Sequence, residues 1–121
     1  MNMQIKERNG IKIAVVDSNR HVISDVQTAL DFIMSVQYET GCNRIAINKE
    51  AVTEDFFVLK TRLAGEILQK FVNYNIKVAI IGDFTIYTSK SLRDFMYESN
   101  KGKDIFFSPS VNDAIEILSR V

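Results

Sequence analysis

A chain of 121 residues with 46% hydrophobic content has the size of one domain, 1–121, and needs no disulfide or metal staple; a domain of that size buries roughly 70% of the surface its unfolded chain exposes. Its 15 Lys and Arg balance 15 Asp and Glu, so there is no net field to draw a nucleic acid or an anionic membrane. The single cysteine, Cys42, excludes an internal disulfide and fits a reducing cytoplasm, the charged N-terminus lacks the apolar core of a signal peptide, and no apolar run approaches the roughly 20 residues of a membrane span.

In chain order, the alternation of Met3, Ile5 and Glu7 with Gln4, Lys6 and Arg8 predicts a first strand, and Ile11, Ile13 and Val15 predict a second. Asn9-Gly10 between them is a hairpin signal, because both residues tolerate the positive φ of a type I′ turn. The continuous apolar run from Ile13 to Val16 points to a strand covered on both faces. Ser24 with Gln27 has capping-box spacing. Val26, Ala29, Leu30, Ile33 and Met34 then follow at helical spacing up to Gly41, a left-handed cap. Phe32 and Val36 widen the apolar face of this helix, so either another element covers them or they form a homodimer surface.

Arg44 to Asn48 predicts a third strand and Lys77 to Ile81 a fourth, joined by a helix whose clean stripe is Leu63, Ala64, Ile67, Leu68, Phe71 and Val72. Ala64 and Gly65 are small enough for close approach to the sheet, and Glu66 to Lys70 is a favourable i,i+4 pair. Between the third strand and this helix two readings stay open. Thr53, Glu54 and Asp55 start a helix, or Phe56 to Leu59 form a buried irregular segment before a helix near Lys60 or Thr61. Ser91 with Asp94 caps a third helix carrying Leu92, Phe95 and Met96. Asp104 to Phe107 is a fifth strand, and Ser110 with Asp113 caps a last helix with Val111, Ala114, Ile115 and Leu118. Strands alternating with helices require crossovers. The expected fold is therefore α/β, a mostly parallel five-stranded sheet with an antiparallel N-terminal hairpin strand and about four helices.

This order resembles that of STAS and SpoIIAA-like domains, which have an antiparallel first strand and a functional loop before the second helix. A closer resemblance, carried by Val26 to Asp31, Val36 to Cys42, Thr53 to Phe57, Thr61 to Phe71 and Tyr97 to Gly102, is to the bacterial family known as domain of unknown function 4180. It implies a fold and a bacterial origin but no activity. Anti-sigma factor antagonists of the STAS class carry Asp-Ser-Gly or Asp-Ser-Ser-Gly, with a phosphorylatable serine at the start of the second helix. Here Val58-Leu59-Lys60-Thr61-Arg62-Leu63 offers only the Thr61 hydroxyl and lacks the preceding Asp.

Ligands of parallel α/β sheets favour the carboxyl ends of the strands, which groups Asp17 and Ser18, Asn48 to Glu50, Gly82 and Asp83, and Ser108. Lys60, Thr61 and Arg62 could supply a basic patch for an anion. The plainer alternative has Thr61 as a cap, Arg62 paired with Glu66 and Lys60 solvated. Tyr87, Ser89, Lys90 and Ser91 either line a pocket with Asp83 or lead into the third helix. Cys42 and His21 read as a small buried thiol and a surface imidazole rather than a nucleophile and base. Glu54 and Asp55 beside Asp83 are too few ligands for a metal and read better as helix-dipole partners. The isolated glycines build no phosphate loop, so no cofactor is expected.

The expected function is a non-catalytic regulatory or protein-interaction module in the cytoplasm, resembling STAS domains, with an unknown protein partner or a homodimer. Its candidate contact residues are Glu54, Asp55, Phe57, Lys60, Thr61, Arg62, Asp83 and Tyr87, centred on the stretch from Thr53 to Glu66. The alternative is a small-molecule or anion binder, or a modest enzyme, using Asp17 and Asp83 with Lys60 or Arg62.

Overall fold

A computed structural model describes all 121 residues. Asn2–Arg8 (β1) and Ile11–Asp17 (β2) pair antiparallel. Asn9 and Gly10 take φ of 55° and 77°, as the type I′ hairpin turn requires. Arg44–Asn48 (β3), Lys77–Ile81 (β4) and Ile105–Ser108 (β5) continue the sheet in parallel, in the order β1-β2-β3-β4-β5. The helices are Val26–Thr40 (α1), Leu63–Asn73 (α2), Lys90–Asn100 (α3) and Val111–Leu118 (α4). The structure therefore has the expected α/β fold, with strand five shifted one residue toward Ser108.

Strict sequential order has a consequence for layering. Each crossover from β2 to β5 steps in the same direction, and right-handed crossovers that step one way lie on one face. That face buries Ala14, Val16, Ile45, Ile47, Val78, Ile80 and Phe107 against side chains from α1, α2 and α3. The alternate residues Ile13, Ala46, Ala79 and Phe106 point to the opposite face, where α4 alone covers them with Ala114, Ile115 and Leu118. Ala46 and Ala79 are small where α4 crosses the middle strands, so a short helix can approach closely.

Several local expectations are revised. Asp25, not Ser24, caps α1: its Oδ1 accepts from the Thr28 N–H at 2.9 Å, and the Thr28 hydroxyl accepts from the Asp25 N–H at 3.0 Å. Thr28 thus does the work expected of Gln27. Ser89, not Ser91, caps α3 by accepting from the Leu92 N–H. Phe32 and Val36 are both buried, with Phe32 tilted against Phe71 of α2 at 6.5 Å, so the α1–α2 contact takes the face read as a dimer surface. Gly65 faces open space and mediates no approach to the sheet. Neither Arg62 with Glu66 nor Glu66 with Lys70 comes within ion-pair distance.

The β5 edge is closed by a side chain. Asn100 at the end of α3 accepts from the Phe107 N–H at 2.7 Å and donates to the Phe107 carbonyl at 3.3 Å. One amide thereby takes the place of a neighbouring strand on an edge that would otherwise invite pairing.

Candidate functional site

The carboxyl ends of the four parallel strands lie side by side. At β2 and β3 the Asn48 side chain bridges to the exit of β2, accepting from the Ser18 N–H at 2.9 Å and donating to its carbonyl at 2.7 Å. Beyond β3 the chain forms three short 3-10 turns, Lys49–Ala51, Glu54–Phe57 and Leu59–Thr61, before α2 starts at Leu63. The irregular reading holds in part: no α-helix starts at Thr53 and Phe56 and Phe57 are buried, but Val58 is exposed, Leu59 is half-buried, and the helix begins at Leu63 rather than near Lys60 or Thr61. Its backbone is tied to the loop after β2, since Ala51 accepts from Val22 and Ile23 and Thr53 donates to Ile23.

Lys49 is the pivot of these tips. A Cβ on Gly82 would lie 2.8 Å from the Lys49 Cβ, so only glycine at the end of β4 leaves room for the lysine stem. The stem is buried and carries Nζ over the rings of Tyr87, at 5.2 Å, and Phe57, at 5.6 Å. Nζ also donates to Glu54 Oε1 at 3.0 Å, and the Tyr87 hydroxyl donates to the same carboxylate at 3.2 Å. Phe57 and Tyr87 stack at 5.0 Å with 19° between their planes. Lys49, Glu54, Phe57 and Tyr87 therefore clasp the loop after β3 to the loop after β4.

Electrostatics follow from this clasp. Burial acts to lower the Lys49 pKa, but contact with the Tyr87 hydroxyl and the Glu54 carboxylate outweighs it and holds the ammonium above the ordinary lysine value. Burial raises the Tyr87 phenol, helped by the nearby Glu54 charge and opposed by Lys49, so the hydroxyl stays neutral well past neutral pH. Asp83 lies below the usual carboxylate value. Its Oδ1 accepts from the Thr85 hydroxyl at 2.5 Å and the Thr85 N–H at 3.0 Å, and Lys49 adds a weaker attraction.

Beside the clasp is a concavity of about 750 Å³ between the loop after β4, the end of β5 and the first turns of α3. Its walls are Phe84, Tyr87, Met96 and Phe107, and its two charged side chains are Asp83 and Arg93. The position follows from the topology. After β4 the chain passes to α3 on the three-helix face, and after β5 it passes to α4 on the other. The adjacent tips of β4 and β5 are thus a topological switch point, where open α/β sheets bind ligands. A shallower hollow of about 540 Å³ lies on the other side of the clasp, bordered by Arg20, His21, Lys49 and Glu54.

Of the candidate residues, the structure brings Glu54, Phe57 and Tyr87 into one cluster with Asp83 close by. Asp55, Lys60, Thr61 and Arg62 stay outside the concavity. Glu54 serves Lys49 rather than a helix dipole. The Thr61 hydroxyl turns back onto the Asp55 and Val58 carbonyls, both at 2.8 Å, and so stitches the loop to itself. Arg62 is exposed in the left-handed region at φ 66°. Asp17 and Cys42 do not line the concavity; Cys42 is buried and its thiol faces the Thr40 carbonyl. Sequence reasoning placed Lys49 among the strand tips without singling it out and passed over Arg93. The signals were an amphipathic residue directly after an all-apolar strand, and Arg93 three residues before the buried Met96 on one helix. No three His, Cys, Asp or Glu side chains gather closely enough to hold a metal ion, and no helix is long and apolar enough to cross a membrane.

Fold and site together define a small α/β domain with an apolar-walled crevice at the carboxyl edge of a mostly parallel sheet. The chain belongs to the family described as domain of unknown function (DUF4180), whose model matches residues 8–118. The match takes in the whole of the strand-tip cluster and leaves out all of β1 but its last residue. No curated protein and no solved structure matches the chain.

Proposed function

We propose that this domain is a non-catalytic small-molecule-binding module of the cytoplasm, with its ligand in the crevice at the tips of β4 and β5. The observation that carries this is the crevice itself. Its volume of about 750 Å³ falls within the range of small-molecule sites, and four apolar or aromatic side chains line it with a few polar groups at the switch point. Lys49, beside the crevice, is held protonated and therefore serves poorly as a base or nucleophile.

A thermal-shift screen against metabolite classes tests this reading. A ligand at about 100 times its dissociation constant stabilises by about 2.7 kcal/mol, a shift of several degrees for a domain of this size. The shift should vanish in Thr88→Trp, which fills the crevice from an exposed loop position, while the melting transition of the free variant stays cooperative. Hits that persist in Thr88→Trp would place binding elsewhere.

A second reading, a STAS-like regulatory module that contacts a protein through the loop before α2, is favoured by Arg62. A non-glycine residue held in the left-handed region costs roughly 1–2 kcal/mol, and such strain gathers at functional positions. Exposed Val58, Lys60 and Arg62 form the surface offered there. Charge reversal at Lys60 and Arg62 should remove the partners that the wild-type chain retains in affinity capture, and an unchanged set of partners would end this reading.

A further inference from the structure

The crevice contains two opposite charges that do not satisfy each other. Asp83 and Arg93 are its only charged side chains, and neither makes an ion pair with any residue of the chain. Their neighbours behave differently: Lys49 is paired with Glu54 at 3.0 Å and Lys90 with Asp94 at 2.7 Å. The Asp83 carboxylate is also oriented. Thr85 holds Oδ1 through two hydrogen bonds, which leaves Oδ2 without a partner in the protein. Arg93 comes from the first turns of α3, one helical turn before Met96, so a rigid element holds its exposed side chain at the rim of the crevice, which it shares with the hollow bordered by Lys90, Asp94 and Tyr97.

We infer that the ligand is a zwitterion with an apolar body, of amino-acid or dipeptide size. Its ammonium group meets Asp83, its carboxylate meets Arg93, and its side chain lies against Phe84, Met96 and Phe107. This inference rests on the small-molecule reading and names the chemistry of the same site. A simple anion would gain Arg93 and be repelled by Asp83, and a simple cation would face the reverse. A charge placed opposite its like disfavours the wrong ligand as effectively as a new contact favours the right one. Only a ligand bearing both charges gains at both ends, and Arg has the planar fork suited to a carboxylate.

The test uses the full chain and matched probes: L-phenylalanine and L-leucyl-L-phenylalanine, each alongside its N-acetyl form, which keeps only the carboxylate, and its C-terminal amide, which keeps only the ammonium. Affinity is read by titration with amide NMR shifts at Thr85 and Thr88. The free zwitterion of at least one size should bind at least tenfold more tightly than either blocked form. Asp83→Asn should abolish the preference over the N-acetyl form, and Arg93→Gln the preference over the amide. Blocked forms that bind as well as the zwitterion, or preferences that survive both substitutions, overturn the zwitterion while leaving a small-molecule crevice in place. If none of the six probes binds but another compound class shifts Thr85 and Thr88, the zwitterion is again overturned and the crevice stands. Silence at Thr85 and Thr88 for every probe and every screened class overturns both.

Discussion

Gly82 and Lys49 are fitted to each other: the lysine stem passes so close to the end of β4 that any side chain at position 82 would meet its Cβ. Gly82→Ala should therefore push Lys49 off the Tyr87 and Phe57 rings. The expected loss is about 1–3 kcal/mol, as for other overpacked sites. Most of that loss should disappear when Gly82→Ala is made in a Lys49→Gly background, because the Cβ that it would meet is removed with the stem. A double-mutant cycle by denaturant unfolding measures the coupling.

Alkaline pH should loosen the same clasp. Lys49 has a folded pKa raised above the ordinary lysine value of 10.5, and Tyr87 one raised above the ordinary tyrosine value of 10.0. The unfolded chain therefore releases these protons at lower pH than the folded one, and folding stability falls as pH rises beyond about 10. Lys49→Met combined with Tyr87→Phe, which removes both protons from the clasp, should flatten that decline in melting temperature measured from pH 8 to 11.5.

At the acid end the sign is the opposite. Asp25 and Asp83 are both lowered from 3.8 by hydrogen bonds, from Thr28 and Thr85 respectively. Their contribution is present above pH 3.8 and is lost as pH falls through their lower folded values. Asp25→Asn keeps a capping oxygen at α1. It should leave neutral-pH stability nearly unchanged while making the melting temperature less steep in pH below 3.8.

Arg62 carries a cost that glycine would avoid. Replacing it relieves roughly 1–2 kcal/mol of left-handed strain and gives back about 0.5–1 kcal/mol through the freer unfolded chain. Arg62→Gly should therefore raise stability by up to about 1.5 kcal/mol, whereas Arg62→Val should lower it, both read from thermal melts.

Removing the Asn100 side chain should expose the β5 edge. Asn100→Ala leaves both Phe107 backbone groups without their amide partner. The expected outcome is concentration-dependent association, seen by light scattering, at protein levels where the wild type shows none.

The elements that could be read in the sequence are those whose periodicity is set by burial. The apolar runs of β3 and β4 and the stripes of α2 and α4 each follow from which neighbours they meet. The stretch from Lys49 to Arg62 resisted reading because it is built of short local turns anchored through Ala51 and Thr53 to Val22 and Ile23, a partner that local periodicity does not reveal. Asp83 was legible as a strand-tip carboxylate and Tyr87 as its candidate neighbour, whereas Glu54 and Phe57 read as part of a partner-contact loop and not of the strand tips. Lys49 and Arg93 were less legible, because their importance depends on strand order: Lys49 matters through the glycine beside it on β4, and Arg93 through the change of helix face between α3 and α4. The caps of α1 and α3 were displaced by one and two residues, since Ser, Thr and Asp cluster at both sites and any of them can supply the oxygen.

The uneven covering of the sheet also bears on how the chain comes together. Every unit from β2 to β5 can close its own three-helix face as it emerges during synthesis, but the alanine-bearing reverse face stays bare until Val111–Leu118 arrives. α4 is thus the final seal, and a chain halted after β5 would carry Ile13, Phe106 and the strip between them open to any passing apolar surface. Quality control that acts on this protein has one face to inspect, and its state depends on a single eight-residue helix.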